Sequence, residues 1–481
     1  AEVYEGLAEA WVRQIEMAIA KELPTDEPYA AAVAASDKIT VAEPGSVSGQ
    51  LKKAFAAMFT LQVTTYGPSA NERVQRCLSA TQEVLAKLPG HPYASDTEAN
   101  CYLFASEMAR QHGEDPISNL NNARKSLEPI ISQHPHFLWA INDLGNIILT
   151  LGNQQQLHGD ARASESLKNS LQYYGKSAML DRKYISAPLN SMVAVYSLVR
   201  ECESEEGLRE NLLNADQYFL DCTLINSKDQ RCFNNYLQVY ARAAYRTSLS
   251  GRDSQPRIQR ALQHLALTRQ LGSKLQDAEG HAAMTYLAQA RDLLRKNLSP
   301  IASLTLLDAA LAECFALAPE EVLCRMMATM ALWARADWQA AQHLPFAETL
   351  TAALAKARVA AESPEISPDA WQALAETQLR IAQSTQSAKA RTVHITDGLA
   401  ALQKLFSINP NHALGLITQG QLLLLRAQGE QGAAPKQQSI KNAAAALDRA
   451  FTIDPFVKPA FLPILESAKV QLSKLSEVLV Y

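Results

Sequence analysis

Glycine is scarce in this chain, with 19 residues in 481, and alternating apolar and polar runs bounded by turn residues are hard to find. Hairpins and sheets depend on both features, so a β architecture is excluded as the main fold. Ala, Leu, Gln, Glu, Lys and Arg dominate instead, and these residues lose little conformational freedom in a helix. The composition therefore predicts an all-α protein.

The chain has no clear excess of either charge and no long apolar run. Its 45 basic and 49 acidic residues give a net charge of -4, which does not indicate a surface for nucleic acid. The most apolar stretch, HALGLITQGQLLLLRAQ, is interrupted by glutamines and an arginine and falls short of the roughly eighteen apolar residues of a membrane span. We expect neither a nucleic-acid partner nor membrane insertion of this stretch.

Catalytic signatures are also missing from the sequence. It contains no phosphate-binding GxxxxGK[ST] or GxGxxG loop, no HExxH, no GxSxG, and no kinase HRD or DFG segment. His134 and His136 flank Pro135, but no cysteine or carboxylate cluster accompanies them, so they indicate a polar turn rather than a metal site. We expect no enzymatic activity in these residues, no cofactor and no metal.

Proline and other helix-ending residues recur at a nearly constant interval. The interval is 45 to 47 residues, and three of the ten positions lack proline. Proline ends one helix and is tolerated just before the next, so the spacing indicates an internal repeat. The ten positions are Pro44, Pro89, Pro135, Arg182, Ser227, Gly272, Pro319, Pro364, Pro410 and Pro455.

Each interval contains the pattern of two helices. After Pro135, apolar residues and a glycine at Ile141, Leu144, Gly145 and Ile148 follow the spacing of one helix face. Small or apolar residues stand twelve, eight and five positions before each junction, where they allow two helices to pack closely. Cys77, Cys222 and Cys314 occupy such positions. They are therefore interpreted as packing residues, because a buried thiol behaves as a small hydrophobe.

These residues resemble the tetratricopeptide repeat (TPR), whose unit of roughly 34 residues has a W-x2-L-G-x2-Y first helix and a proline near its end. The unit here is about a dozen residues longer. The sequence places the extra residues mostly between the two helices of a pair, in polar segments such as RQHGEDPIS (110–118), LHGDARAS (157–164), LSGRDSQPR (249–257) and RAQGEQGAAPKQQS (426–439). Extended units with such loops look like the repeat regions that follow the catalytic domain in bacterial serine/threonine protein kinases.

The resemblance implies a right-handed α-solenoid superhelix of antiparallel helix pairs. We divide the chain into an N-terminal helical segment (1–44), an array of about nine pairs (45–455) and C-terminal capping helices (456–481). The register of the copies near Arg182, Ser227 and Gly272 stays open.

The first helix of each pair lines the concave side of a TPR array, which implies a set of partner-binding residues. Amide groups pair with a peptide backbone, and guanidinium groups pair with carboxylates. A groove exposed to water would also be lined by polar residues without any partner, so both interpretations stay open. The implied residues are Trp139, Asn142, Asn146, Arg231, Asn234, Gln238 and Arg242.

Three functions fit this sequence. The first is a protein-binding scaffold or sensor, which the resemblance assigns to a bacterial signalling protein whose kinase domain is not in this chain. The second is a small-ligand sensor with an enclosed pocket, for which Trp139, Tyr196, Tyr240 and Tyr286 are candidates. The third is a structural assembly subunit. The identity of the partner and the oligomeric state stay open.

The expected compartment follows from the cysteines and the N-terminus. Seven cysteines, an odd number without CxxC spacing, favour free thiols in a reducing environment. The segment AEVYEGLAEAWVRQIEMAIAKEL reads as an amphipathic helix with acidic residues where a signal peptide would be basic. We expect a cytoplasmic protein, and a periplasmic one if a membrane span lies upstream.

Overall fold

The structure is a computed structural model that describes residues 1–21, 23–61, 68–272 and 276–478. Within these ranges all regular secondary structure is α-helical. The helices are α1 (Glu2–Ala20), α2 (Asp26–Ala42), α3 (Ser48–Leu61), α4 (Pro68–Lys87), α5 (Pro92–Gln111), α6 (Ile117–Gln133), α7 (Leu138–Leu157), α8 (Ala163–Leu180), α9 (Ser186–Arg200), α10 (Glu205–Ile225), α11 (Gln230–Leu249), α12 (Gln255–Gln270), α13 (Gln276–Arg295), α14 (Ile301–Leu317), α15 (Val322–Ala341), α16 (Ala347–Ala361), α17 (Pro368–Ser384), α18 (Ala388–Ile408), α19 (Ala413–Gly429), α20 (Ala433–Ile453) and α21 (Lys458–Val478).

All ten predicted junctions lie between an even-numbered helix and the odd-numbered helix that follows it. At Ser227, a junction without proline, a side chain caps the next helix. Asp229 accepts a hydrogen bond from the backbone N–H of Arg231 at the start of α11, as His91 does from Ala94 at the start of α5. The predicted all-α array of helix pairs is confirmed.

The prediction that the extra residues of each unit lie in loops is wrong. Where the structure describes the connections within pairs, they cover only three to five residues, for example 112–116, 158–162, 250–254 and 430–432. The excess extends the helices instead, several of which have 20 or 21 residues. Glycine, proline and aspartate in these stretches mark sharp corners, and the neighbouring residues continue the helices.

Small residues bring the two helices of a pair into close contact. Ala123 and Leu127 on α6, like Ala443 and Leu447 on α20, are fully buried. Gly145 of the first-helix pattern faces the ring of Tyr174, and a Cβ atom at this position would lie 2.6 Å from Cε1 of that ring. The predicted packing positions therefore form the core between helices.

The chain divides into two compact units. Unit 1 comprises Ala1–Gln154 and Asn169–Ala187, and unit 2 comprises Gln155–Lys168 and Pro188–Tyr481. The division into 1–44, 45–455 and 456–481 remains a prediction, and residues 479–481 lie outside the described part of the chain. None of the described helices combines the length and the apolar character that crossing a membrane requires.

The expectation of free thiols is wrong for six of the seven cysteines. Each disulfide joins an even-numbered helix to the next odd-numbered helix, and the Cα atoms are 6.0 to 6.6 Å apart, a normal spacing for a disulfide. Cys222 and Cys314 are buried as expected, but they also bond across a helix junction to a cysteine ten residues later. The pairs are Cys77–Cys101, Cys222–Cys232 and Cys314–Cys324, and Cys202 is free.

Two glycines of unit 1 test this packing. We expect Gly145→Ala to destabilise the protein by about 1–3 kcal/mol, because the buried Tyr174 ring must move. Gly175→Ala is the matched control, since a Cβ on Gly175 of α8 meets nothing within 4 Å. It should stabilise by about 0.5–1 kcal/mol through helix propensity. Urea denaturation measures both, and equal effects would contradict the assigned contact.

Candidate binding sites

Unit 1 exposes a cluster of aromatic side chains at the start of α5 and α7, which we call the aromatic cluster (Tyr93, Phe137 and Trp139). The ring centroids of Tyr93 lie 5.3 Å from Phe137 and 6.0 Å from Trp139. Trp139, predicted from the sequence, is 50% exposed, and Tyr93 is 44% exposed. Two large aromatic rings therefore remain accessible to a partner.

Further along the same two helices lies the acidic–amide cluster (Asp96, Asn100, Asn142, Asp143 and Asn146). Asn100 Nδ2 donates to Asp143 Oδ2 over 2.7 Å. The predicted residues Asn142 and Asn146 donate to Asp143 Oδ1 over 3.1 and 3.2 Å. Three amides thus converge on one carboxylate.

The second carboxyl of this cluster is less well satisfied. Asp96 Oδ1 is buried and accepts no hydrogen bond from the described residues. Burial and the neighbouring Asp143 raise the pKa of Asp96 well above its usual range. Burial also raises the pKa of Asp143, but the hydrogen bonds from Asn100, Asn142 and Asn146 oppose that rise because they stabilise the charged carboxylate. Burial and Asp143 also raise the pKa of Tyr184 to about 12.

The two clusters share one face of the helices. Asp96 follows Tyr93 by three residues, and Asp143 follows Trp139 by four, so each carboxyl lies one turn from an aromatic ring, about 5.4 Å along the helix. Trp139 is half exposed whereas Asn142 is 3% exposed. The face thus changes from exposed aromatic to buried acidic over one turn.

The predicted residues on α11 of unit 2 are held within the protein. Arg231 donates to Asp229 over 2.7 Å, at the cap of its own helix. Asn234 is 5% exposed and its Oδ1 lacks a partner among the described residues, while Gln238 is partly buried. Whether these residues contact a partner remains a prediction.

Arg242, the last predicted residue, ends a chain of hydrogen bonds. His281 Nδ1 donates to the Asp277 carbonyl over 2.6 Å, so its Nε2 accepts from the Tyr196 hydroxyl over 3.2 Å. Arg242 in turn donates to the Tyr196 oxygen and lies 4.9 Å from that ring. Burial lowers the pKa of His281 to about 3, so this imidazole is neutral. Arg242 thus bonds to a phenol rather than to a carboxylate, and its Nε has no hydrogen-bond partner among the described residues.

Contacts between distant repeats close unit 2. Arg246 on α11 pairs with Asp454 over 2.9 Å, and Arg252 lies 4.3 Å from the ring of Phe456. Asn411 Nδ2 donates to the Gly159 carbonyl over 2.9 Å. These contacts join residues more than 200 positions apart, so the last pairs of the unit return to its first pairs.

A cavity of about 290 Å³ lies within unit 2, where α21 approaches α11. Its walls come from α11, α13, α15, α17 and α21, all odd-numbered helices. Tyr196, Tyr240 and Tyr286 of the predicted pocket do not line it, and Trp139 belongs to unit 1. The Trp333 ring and the Arg291 guanidinium line it instead.

The sequence missed the residues whose role depends on distant contacts. Asp96 and Asp143 were detectable in principle, because each stands one turn after an aromatic residue in adjacent copies. Arg291 carries no such local signal, since only the closure of unit 2 brings it to a cavity.

Comparisons with known proteins give a likeness of fold and no family. No family model matches the chain, and no curated protein matches its sequence. The human IFIT1 dimer with m7Gppp-AAAA is 11% identical, with a TM-score of 0.48 over 98% of this chain and 94% of that one. Yeast Tom70 is 14% identical, with a TM-score of 0.42 over 97% and 88%. At these values the likeness concerns helical repeats alone.

Asp96→Asn tests the buried carboxyl. Because its pKa is higher in the folded than in the unfolded chain, the folded state binds the proton more tightly, and this contribution to stability falls as pH rises above about 4. Asp96→Asn removes the ionisation, so its stability relative to wild type should rise between about pH 4.5 and about pH 7.5. Urea denaturation at both values measures the difference.

The control for this experiment is Glu83→Gln, an exposed carboxylate on α4 of the same unit. Its effect should not change over that range. A pH-independent effect of Asp96→Asn would show that Asp96 is ionised in the folded protein.

Proposed function

We propose that this chain is a non-catalytic scaffold whose repeats bind a segment of a protein partner. The observation that carries the proposal is the α5–α7 face of unit 1, where the exposed Trp139 lies one turn from the carboxyl pair Asp96 and Asp143. Exposed tryptophans are frequent anchors of protein interfaces. The unsatisfied Asp96 oxygen is a buried acceptor for which the described part of the chain supplies no donor.

The chemistry of this face favours a partner segment with a lysine or arginine beside an apolar residue. A cation is attracted to the faces of Tyr93 and Trp139, and its N–H groups match the carboxylate acceptors. A bound cation would also draw the proton from Asp96, because a nearby positive charge stabilises the ionised form. Trp139 would touch the partner, while Asn142 and Asn146 would act by fixing Asp143.

Peptide display with the whole chain as bait tests this proposal. We expect the selected peptides to be enriched in lysine or arginine next to apolar residues. A synthetic copy of one of these peptides, measured by fluorescence polarisation, should bind Trp139→Ala and Asp96→Asn roughly tenfold or more weakly than wild type, since both anchors are lost.

The control is Met179→Ala on α8 of unit 1, a side chain that is 84% exposed and outside the proposed face. It should bind like wild type. Selected peptides without a basic residue, or peptides that bind Trp139→Ala as tightly as wild type, would exclude the α5–α7 face.

The association with a kinase belongs to the same proposal. Its support is the resemblance of the corners within pairs to the repeat regions of bacterial serine/threonine kinases, and nothing else in the chain adds to it. In that setting the scaffold would hold a partner segment and position it for an attached catalytic domain.

The compartment needs a revised proposal. The cytoplasmic expectation relied on free thiols, whereas three disulfides join neighbouring helix pairs. Disulfides persist in oxidising environments and are rare in the cytosol. We therefore propose an oxidising compartment for this region, with which the periplasmic alternative is compatible.

Two proposals, the attached kinase domain and the oxidising compartment, are tested on the native protein, captured from its source cells with an antibody against this chain. A species larger by a whole domain that labels itself with ATP supports the kinase, and a species of this size without label excludes it. Denatured in alkylating reagent without reductant, this region should take up one label, on Cys202. Seven labels would contradict the oxidised state.

A further inference from the structure

The cavity of unit 2 has a deep apolar part and a polar entrance. Met330 and Trp333 line it and are each only 5% exposed, and Leu287 and Phe461 extend this surface. Asp337 and Arg380 also line it, with side chains that are 50% and 24% exposed. The cavity is therefore amphipathic from base to mouth.

The two largest groups in the base are held in place by the protein. Trp333 Nε1 donates to Thr377 Oγ1 over 2.9 Å, and the Tyr245 hydroxyl donates to Met330 Sδ over 3.2 Å. These hydrogen bonds hold the indole ring and the thioether in place, and they occupy no space inside the cavity. A ligand would meet a preformed wall, in which the Arg380 guanidinium already lies 5.1 Å from the centre of the Trp333 ring, and preformation lowers the entropic cost of binding.

Two of the three arginines that line the cavity are paired with carboxylates. Arg380 is neutralised by Asp337 over 2.6 Å and by Glu376 over 3.0 Å. Arg295 pairs with Asp292 over 2.9 Å. Arg291 is partly buried and has no hydrogen bond or ion pair within the described part of the chain.

Among the described residues, Arg291 is consequently the arginine of the lining that has no direct ion-pair partner. A guanidinium presents a planar fork of donors that matches a carboxylate in two parallel hydrogen bonds. With Trp333 and Phe461 in the same cavity, the site combines an anion receptor with an aromatic wall.

We propose that this cavity binds a small organic monoanion with a flat apolar body, such as an aromatic carboxylate. The carboxylate would pair with Arg291, and the ring would lie among Trp333, Met330 and Phe461. A volume of about 290 Å³ is at the lower end of small-molecule sites and accommodates a bicyclic acid. This site is in unit 2, so it does not depend on the peptide-binding face of unit 1.

Isothermal titration calorimetry with 2-naphthoate and its neutral amide, 2-naphthamide, tests the proposal. We expect saturable binding of one 2-naphthoate per chain and binding of the amide that is roughly tenfold or more weaker, because the amide lacks the charge. Arg291→Gln should weaken the binding of 2-naphthoate by a similar factor and leave the binding of 2-naphthamide unchanged. Arg291→Lys should lose less affinity for 2-naphthoate, since lysine keeps the charge but not the planar fork of donors.

The control is Arg358→Gln, an exposed arginine on α16 outside the cavity, which should bind like wild type. Circular dichroism of each variant establishes that it is folded. The proposal is overturned if wild type does not bind 2-naphthoate, if the acid and the amide bind equally, or if folded Arg291→Gln binds the acid like wild type.

Discussion

The contact between Arg246 and Asp454 determines the form of unit 2. The two side chains are 12% and 14% exposed, and Phe456 beside them is fully buried between Arg246 and Arg252. A pair this well buried contributes more to specificity than to net stability, because desolvation offsets most of its attraction. It joins α11 to the connection that precedes α21, and residues of both helices line the cavity.

Close packing within helix pairs is the second constraint on the structure. A helix pair of this size cannot bury its apolar stripe alone, so neighbouring pairs share one core. Glycine and alanine at the crossing points permit this, as Gly145 against Tyr174 shows. Each of the three disulfides joins one helix pair to the next. Such a cross-link reduces the conformational entropy of the unfolded chain.

The two candidate sites carry charges of opposite sign and lie on the same class of helix. Both lie on odd-numbered helices, and both contain a polar group without a hydrogen-bond partner among the described residues: an oxygen of Asp96 in unit 1 and the guanidinium of Arg291 in unit 2. Other buried charges have ionic partners, as where Arg200 and His412 lower the pKa of Asp369 despite its burial. An unsatisfied polar group next to accessible aromatic side chains is a reason to test for a ligand or partner.

The sequence by itself determined the helix pairs, their period and the ten junctions, because capping, helix propensity and the spacing of small residues act between neighbours. It also identified Trp139, which the structure leaves exposed. The tertiary structure decided what depends on distant residues: which cysteines pair, that Asn142 and Asn146 serve Asp143, and that Arg291 reaches a cavity closed by α21. A local sequence pattern contains no information on which distant helices contact each other. The closure of unit 2, and the charged groups that it leaves without partners, therefore follow only from the tertiary structure.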